Sequence, residues 1–333
     1  MNKLDRLDTV IRGRRSDRPP VSFWYHFAPA CAHGPAAVEA HVRHAETYDL
    51  DFLKIMDDNR YPRPQTGAGV MTEVADLDHL AVLSGDEGAF GRQLEVIREL
   101  TRRFAGHLRM ATTVFNAWGT LRNMTVPDTG VHGPPSLETG PDPRDATMSR
   151  FLRDAPQALE RALQVIAEST ANFVHHCLAA GADGIYLSVR DDWVDSPANG
   201  AGIYDRLVKP TDLAILCAAA AGTFNMLHVC GKATDFRRFA DYPAHVLSWA
   251  DRYAGPAITD VVAWARPALC AGLDNLTTMP HGSPEDCARQ VADALHQAGS
   301  RPIIVAPGCT FDPDAVPAAN LHAIRRAVEL GWD

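Results

Sequence analysis

Two periods alternate along this chain. Apolar runs of four to seven residues, rich in Val, Ile, Leu and Met, are separated by stretches whose apolar positions recur every three to four residues. The first pattern is that of strands buried on both faces, the second that of amphipathic helices. Strands are predicted over 21–27, 52–56, 110–115, 184–189, 224–229, 246–249, 268–272 and 303–306. Helices are predicted over 4–13, 36–48, 93–104, 156–180, 211–221, 234–239, 258–265, 284–298 (with Ser283 as N-cap) and 318–330. Eight strands alternating with helices predict an α/β fold, a single (β/α)8 TIM barrel over residues 1–333. The stretch 62–88 has no clear period. The stretch 119–154 is rich in Pro and Gly (Gly130, Gly133-Pro134-Pro135, Gly140-Pro141-Asp142-Pro143) and is expected to be an irregular lid or substrate loop.

In such barrels the chemistry sits at the C-terminal ends of the strands. The polar residues that fall there are Tyr25 and His26 (strand one), Asp57 (two), Asn116 (three), and Tyr186, Asp191 and Asp192 (four). His228 and Cys230 follow at strand five, Asp251 at six, Asp274 at seven and Cys309 at eight. Residues i and i+2 of a strand face the same way, so His228 and Cys230 present an imidazole and a thiol to one place. Pro307-Gly308-Cys309 ends its own strand in the same form, an apolar run, a turn and a thiol. Three N/S donors with a fourth position left open is the arrangement of a catalytic zinc. The bland alternative is a hydrogen-bonded core histidine and a core thiol. Asp57, Asp251 and His26 are the candidate catalytic groups, Asp57 or Asp251 to take a proton or orient a ligand and His26 to contact substrate. Tyr25, Asn116, Tyr186 and Asp191 are candidate substrate contacts. Asp274 is expected to cap a helix. Cys31 and His33 lie in a loop without periodic support, and His175-His176 on a solvated helix face.

Composition narrows the classes. Hydrophobic residues make up 46% and charged ones 22%, enough for a large core. A net charge of −9 argues against nucleic acid or an anionic membrane as partner. No apolar run approaches the roughly 20 residues of a membrane span, and Met1-Asn-Lys-Leu-Asp-Arg-Leu7 lacks the apolar core of a signal peptide. A cytoplasmic protein is expected. The seven cysteines contain no Cys-x-x-Cys pair and imply no disulfide framework; Cys177, Cys217 and Cys287 fit small buried hydrophobes.

The same residues carry a family likeness. Arg18-Pro-Pro-Val21 after a short helix, Leu227-His-Val-Cys-Gly231, Ala271-Gly-Leu-Asp-Asn275 and the Gly308 turn before Pro313 and Pro317 resemble the uroporphyrinogen decarboxylase superfamily over nearly the whole length. Its decarboxylases hold propionate groups with an arginine-rich segment after strand one; here that place reads Tyr25-His-Phe-Ala-Pro-Ala30, without arginine. The family's aspartate after strand two corresponds to Asp57. The likeness is closer to the zinc-dependent methyltransferases that move methyl groups between corrinoid proteins and thiols such as coenzyme M. His228, Cys230 and Cys309 match their His-x-Cys and late Cys. The resemblance implies a zinc-dependent methyl- or alkyltransferase acting on a small thiol, with a corrinoid, free or on a partner protein, as a methyl donor. It also suggests a homodimer. Two alternatives are a metal-independent decarboxylase or lyase of the same fold, and a non-catalytic barrel binding a tetrapyrrole or corrinoid.

Overall fold

A computed structural model of the chain describes residues 1–64, 69–128, 142–232 and 235–332. The elements run α1 (Lys3–Ile11), α2 (Gly34–Thr47), β1 (Phe52–Ile55), α3 (Gly88–Arg103), β2 (Arg109–Phe115), α4 (Ala117–Met124), α5 (Pro143–Asp154), α6 (Pro156–Ala179) and β3 (Gly184–Val189). They continue with α7 (Lys209–Ala218), β4 (Met226–Val229), β5 (Val246–Trp249), α8 (Ile258–Val261), β6 (Ala268–Leu273), α9 (Thr278–His281), α10 (Pro284–Ala298), β7 (Ile303–Pro307) and α11 (Ala318–Ala327). The seven strands form one parallel sheet in sequence order, β1 to β7.

The pleat divides the strands between two cores. Leu53, Ile55, Leu227, Val229, Leu269 and Ala271 pack outward against the helices. Phe52, Met56, Tyr186, Met226, Cys270 and Ile304 pack together on the other face, where α1 adds Leu7 and Val10. Lys54 and His228 have the inward parity. Helix α10 starts as expected, with Ser283 and Asp286 exchanging hydrogen bonds in a capping box.

The segment expected as the first of eight strands makes only one bridge, Val21 with Val305 of β7. Ser22 N donates to Val305 O (3.3 Å) and Val305 N to Pro20 O (2.8 Å). On its other side Asp51 N donates to Val21 O (2.9 Å), so this short stretch is bonded to β7 and to the residue preceding β1. It does not become a strand for a chemical reason. Pro19 and Pro20 have no N–H, and side chains take over the ladder: Val21 N donates to Asp51 Oδ2 (2.8 Å) and Ser22 Oγ to Phe52 O (2.9 Å). Asp51, fully buried, also holds Arg6 and Arg18 at 2.7 Å each.

The stretch 119–154 is mostly helical where it is described. Its ends belong to α4 and α5, locked by a two-pronged Arg122–Asp145 pair at 2.6 and 2.8 Å. Residues 129–141, including Gly130, Gly133 and Gly140, lie outside the described residues. Cys177 and Cys287 are buried as expected, whereas Cys217 is exposed: it falls on the solvent side of α7, where helical period alone does not say which face is covered. Among the described residues, no helix is long and apolar enough to cross a membrane.

Candidate metal centre

Register places the histidine. His228 of β4 pairs with Ser188 of β3 and Ser248 of β5. Its Nδ1 lies 3.2 Å from Ser248 Oγ, and its ring stacks on Tyr186 at 5.1 Å. With the Nδ1 proton donated to Ser248, the lone pair is left on Nε2. That atom is buried and has no hydrogen-bond partner among the described residues.

Two turns bring up the thiols. Cys230 N donates to Val189 O at 2.7 Å, fixing the residue to the end of β3. Gly231 then turns away with φ +77°, and a Cβ there would lie 2.7 Å from the Asp192 carboxylate. Gly308 N donates to Leu273 O (3.0 Å) and Asn275 Nδ2 to Thr310 O (2.8 Å), which pins the turn carrying Cys309 to β6. A Cβ on Gly308 would meet Ala250 Cα at 2.7 Å, so this close approach requires glycine.

The ligand atoms of His228, Cys230 and Cys309 all lie within 4.8 Å of one another, the one such three-residue group among the described residues. The sulfurs behave as a pair. A hydrogen bond from Cys230, helped by the Lys54 charge, holds the Cys309 thiol below the usual thiol range. The same bond, with burial, pushes Cys230 far up. One N and two S donors, with a buried Nε2 lacking a partner, fit a zinc ion with an open fourth position.

The three residues line a cavity of about 430 Å³ together with His26, Lys54, Tyr186, Arg60, Arg63 and Arg144. His26 Nδ1 lies 2.6 Å from Asp58 Oδ1. Of the other residues singled out from the sequence, only Tyr186 joins this lining. Asp57 accepts from Asn59 N (3.1 Å) and is pushed up to about 7 by burial; the carboxylate held on His26 is its neighbour Asp58. Asp251 accepts from Gly272 N (2.8 Å) and pairs with Arg252 (3.1 Å). Asn116 caps α4 and donates to buried Asp212 (3.0 Å). Tyr25 packs on Phe27, His44 and Phe311. Asp191 is fully buried and accepts from Asp235 N (3.1 Å). None of these five is among the residues that line the cavity. Asp274 caps its turn, accepting from Leu276 N and Thr277 N at 2.9 and 3.0 Å.

Sequence reading missed Lys54, Asp58 and the arginines. Lys54 did leave a signal, a lone charge inside Phe-Leu-Lys-Ile-Met at the same parity as Phe52 and Met56. The arginines left none, because α4, α5 and the loop after β1 meet only in the folded chain.

Comparison with known proteins places the fold. The family described as uroporphyrinogen decarboxylase (URO-D) matches residues 2–330. No curated protein matches the chain. Among solved structures, a methyltransferase from Methanosarcina mazei is similar at TM-score 0.75 and 16% identity, over 100% of both chains. A putative vitamin-B12 independent methionine synthase from Listeria monocytogenes is similar at TM-score 0.54 and 11% identity, over 88% of this chain and 84% of that one. At these identities the likeness is one of fold.

Proposed function

From the premise that the chain belongs to the uroporphyrinogen decarboxylase family, we propose that it is a zinc-dependent methyl- or alkyltransferase with a small thiol as acceptor. The carrying observation is the convergence of His228, Cys230 and Cys309 within 4.8 Å on a cavity, with His228 Nε2 left without a partner. The fold shared with the Methanosarcina mazei methyltransferase is in keeping with this reading.

His228 Nε2 and the two cysteine sulfurs would hold the metal, and Ser248 keeps the imidazole in the required tautomer. Zinc there supplies one thing, a lowered pKa for a thiol brought to its open position. His26, oriented by Asp58, is the base on the cavity wall that takes the thiol proton. The acceptor's S–H bond breaks and its S–CH3 bond forms. The donor's bond to methyl breaks with both electrons remaining on the donor, for which a corrinoid, free or carried by a partner protein, is one candidate. The Tyr186 ring and the Cys309 turn line the cavity beside the place where the sulfur would react.

Elemental analysis of protein purified in metal-free buffer, wild type beside Cys309→Ser, tests the reading. About one zinc per chain in the wild type, as a three-ligand open site requires, and loss of that zinc in the variant are expected. Wild-type protein that takes up no zinc when it is added back would sink it. One observation favours a second reading, a metal-independent lyase for a carboxylated substrate: Arg60, Arg63 and Arg144 line the cavity although the segment after Tyr25 lacks arginine. Turnover of a carboxylated substrate by zinc-free protein would decide for it.

A further inference from the structure

Lys54 stands in the middle of β1, 4% exposed, with its side chain in the cavity that holds the candidate metal ligands. A buried ammonium is normally paired with a carboxylate. This one makes no ion pair among the described residues. Its Nζ donates to Met56 Sδ at 3.3 Å, a weak acceptor, and lies over the faces of Tyr186 (4.3 Å) and Trp24 (5.7 Å). Burial pulls it down to about 8, which leaves it mostly charged at neutral pH.

The charged groups acting on it are Asp58, Cys230 and Cys309. Asp58 is engaged by His26, and the two sulfurs are the candidate metal ligands. The described lining of the cavity contains Lys54, Arg60, Arg63, Arg144 and His26 on the basic side and no aspartate or glutamate. Arg60 pairs with Asp128, and Arg144 with Asp142 and Asn123, while Arg63 donates to the carbonyls of Val126 and Asn123. Among the described residues, Lys54 is therefore the cation of this wall with neither a carboxylate nor a carbonyl partner.

We infer that Lys54 binds an oxyanion group, carboxylate or sulfonate, of the thiol substrate, and so selects anionic over neutral thiols. The inference rests on the thiol-acceptor reading of the same cavity. A substrate bound in this way spans two fixed points, its sulfur at the His228–Cys230–Cys309 group and its oxyanion on the ammonium. The Tyr186 ring, which touches both Lys54 and His228, lies between them.

The test loads the full-length protein with cobalt(II) and follows thiolate-to-cobalt absorption. 3-Mercaptopropionate, 3-mercaptopropanesulfonate and 2-mercaptoethanol are titrated into wild type, Lys54→Met and Lys54→Gln. Wild type should bind one of the anionic thiols at least about tenfold more tightly than 2-mercaptoethanol, the usual worth of a charge-assisted hydrogen bond. Both variants should keep the metal and the neutral thiol but lose that preference. Whichever anionic thiol binds more tightly identifies the oxyanion. Equal binding of charged and neutral thiols by wild type, or a preference that survives in the variants, overturns the role of Lys54. If Lys54→Met fails to fold, Lys54→Gln decides, since it keeps a polar side chain without the charge. Failure of every thiol to perturb the cobalt spectrum is a separate result: it removes the thiol-acceptor reading, and this inference with it.

Discussion

The two walls of the cavity are built differently. On one, β4 and the turns after β4 and β7 present His228, Cys230 and Cys309, each fixed by backbone hydrogen bonds or strand register. On the other, β1, the segment near His26, the loop after β1 and the ends of α4 and α5 present Lys54, His26 (held from behind by Asp58) and the arginines. The first wall carries soft donors in a fixed frame, which a metal demands because its bond lengths and angles are strict. The second carries hard charges, mostly on loops, which can read a substrate with looser geometry. The contrast separates holding the catalyst from recognising and deprotonating the substrate.

That separation can be broken by experiment. His26→Ala should lower the transfer rate about 10²- to 10⁴-fold, as loss of a general base does, while zinc content stays at the wild-type level. Zinc loss in this variant would show that the walls are not independent. Asp57 tests whether the neighbouring carboxylates divide as described, Asp58 to His26 and Asp57 to structure. Burial raises the Asp57 carboxyl from 3.8 to about 7 in the folded chain. The folded state therefore holds a proton that the unfolded chain releases, and stability should fall as pH rises between about 4 and 7. The loss is at most about 4 kcal/mol. Urea unfolding across that interval should show the slope, and Asp57→Asn should reduce it with zinc retained, the remainder belonging to Asp212, which burial also raises to about 7. Ser248→Ala should have the smallest effect, weakening zinc about 10- to 100-fold through the freed imidazole. A competition titration with a chelator reads this, and unchanged affinity would mean that stacking on Tyr186 alone orients His228.

Much of the frame was legible. The seven strands of the sheet fall where apolar runs end in turns, because a strand covered on both faces must be apolar along its length. The run Val-Ser-Phe-Trp-Tyr-His-Phe at 21–27 is of the same kind and predicts a strand. The prolines before it and the side chains of Ser22 and Asp51 redirect its hydrogen bonds, and no periodicity reveals that. Helix α5 hid in a Pro- and Gly-rich stretch, although Asp142 as N-cap and Pro143 at its first position were there to be read. In helix α4, Gly119 masked the period that Asn116 caps.

The sequence by itself determined the metal-type group, because i and i+2 on one strand and a glycine turn on another leave little freedom in where the donors point. It also determined that no arginine follows Tyr25. Only the tertiary structure decided what faces those donors. Whether Asp57 or Asp58 meets His26, whether Lys54 finds a carboxylate, and which arginines reach the cavity all depend on how loops from distant parts of the chain come together. Such long-range approaches are set by packing of the whole fold, and local pattern carries no record of them.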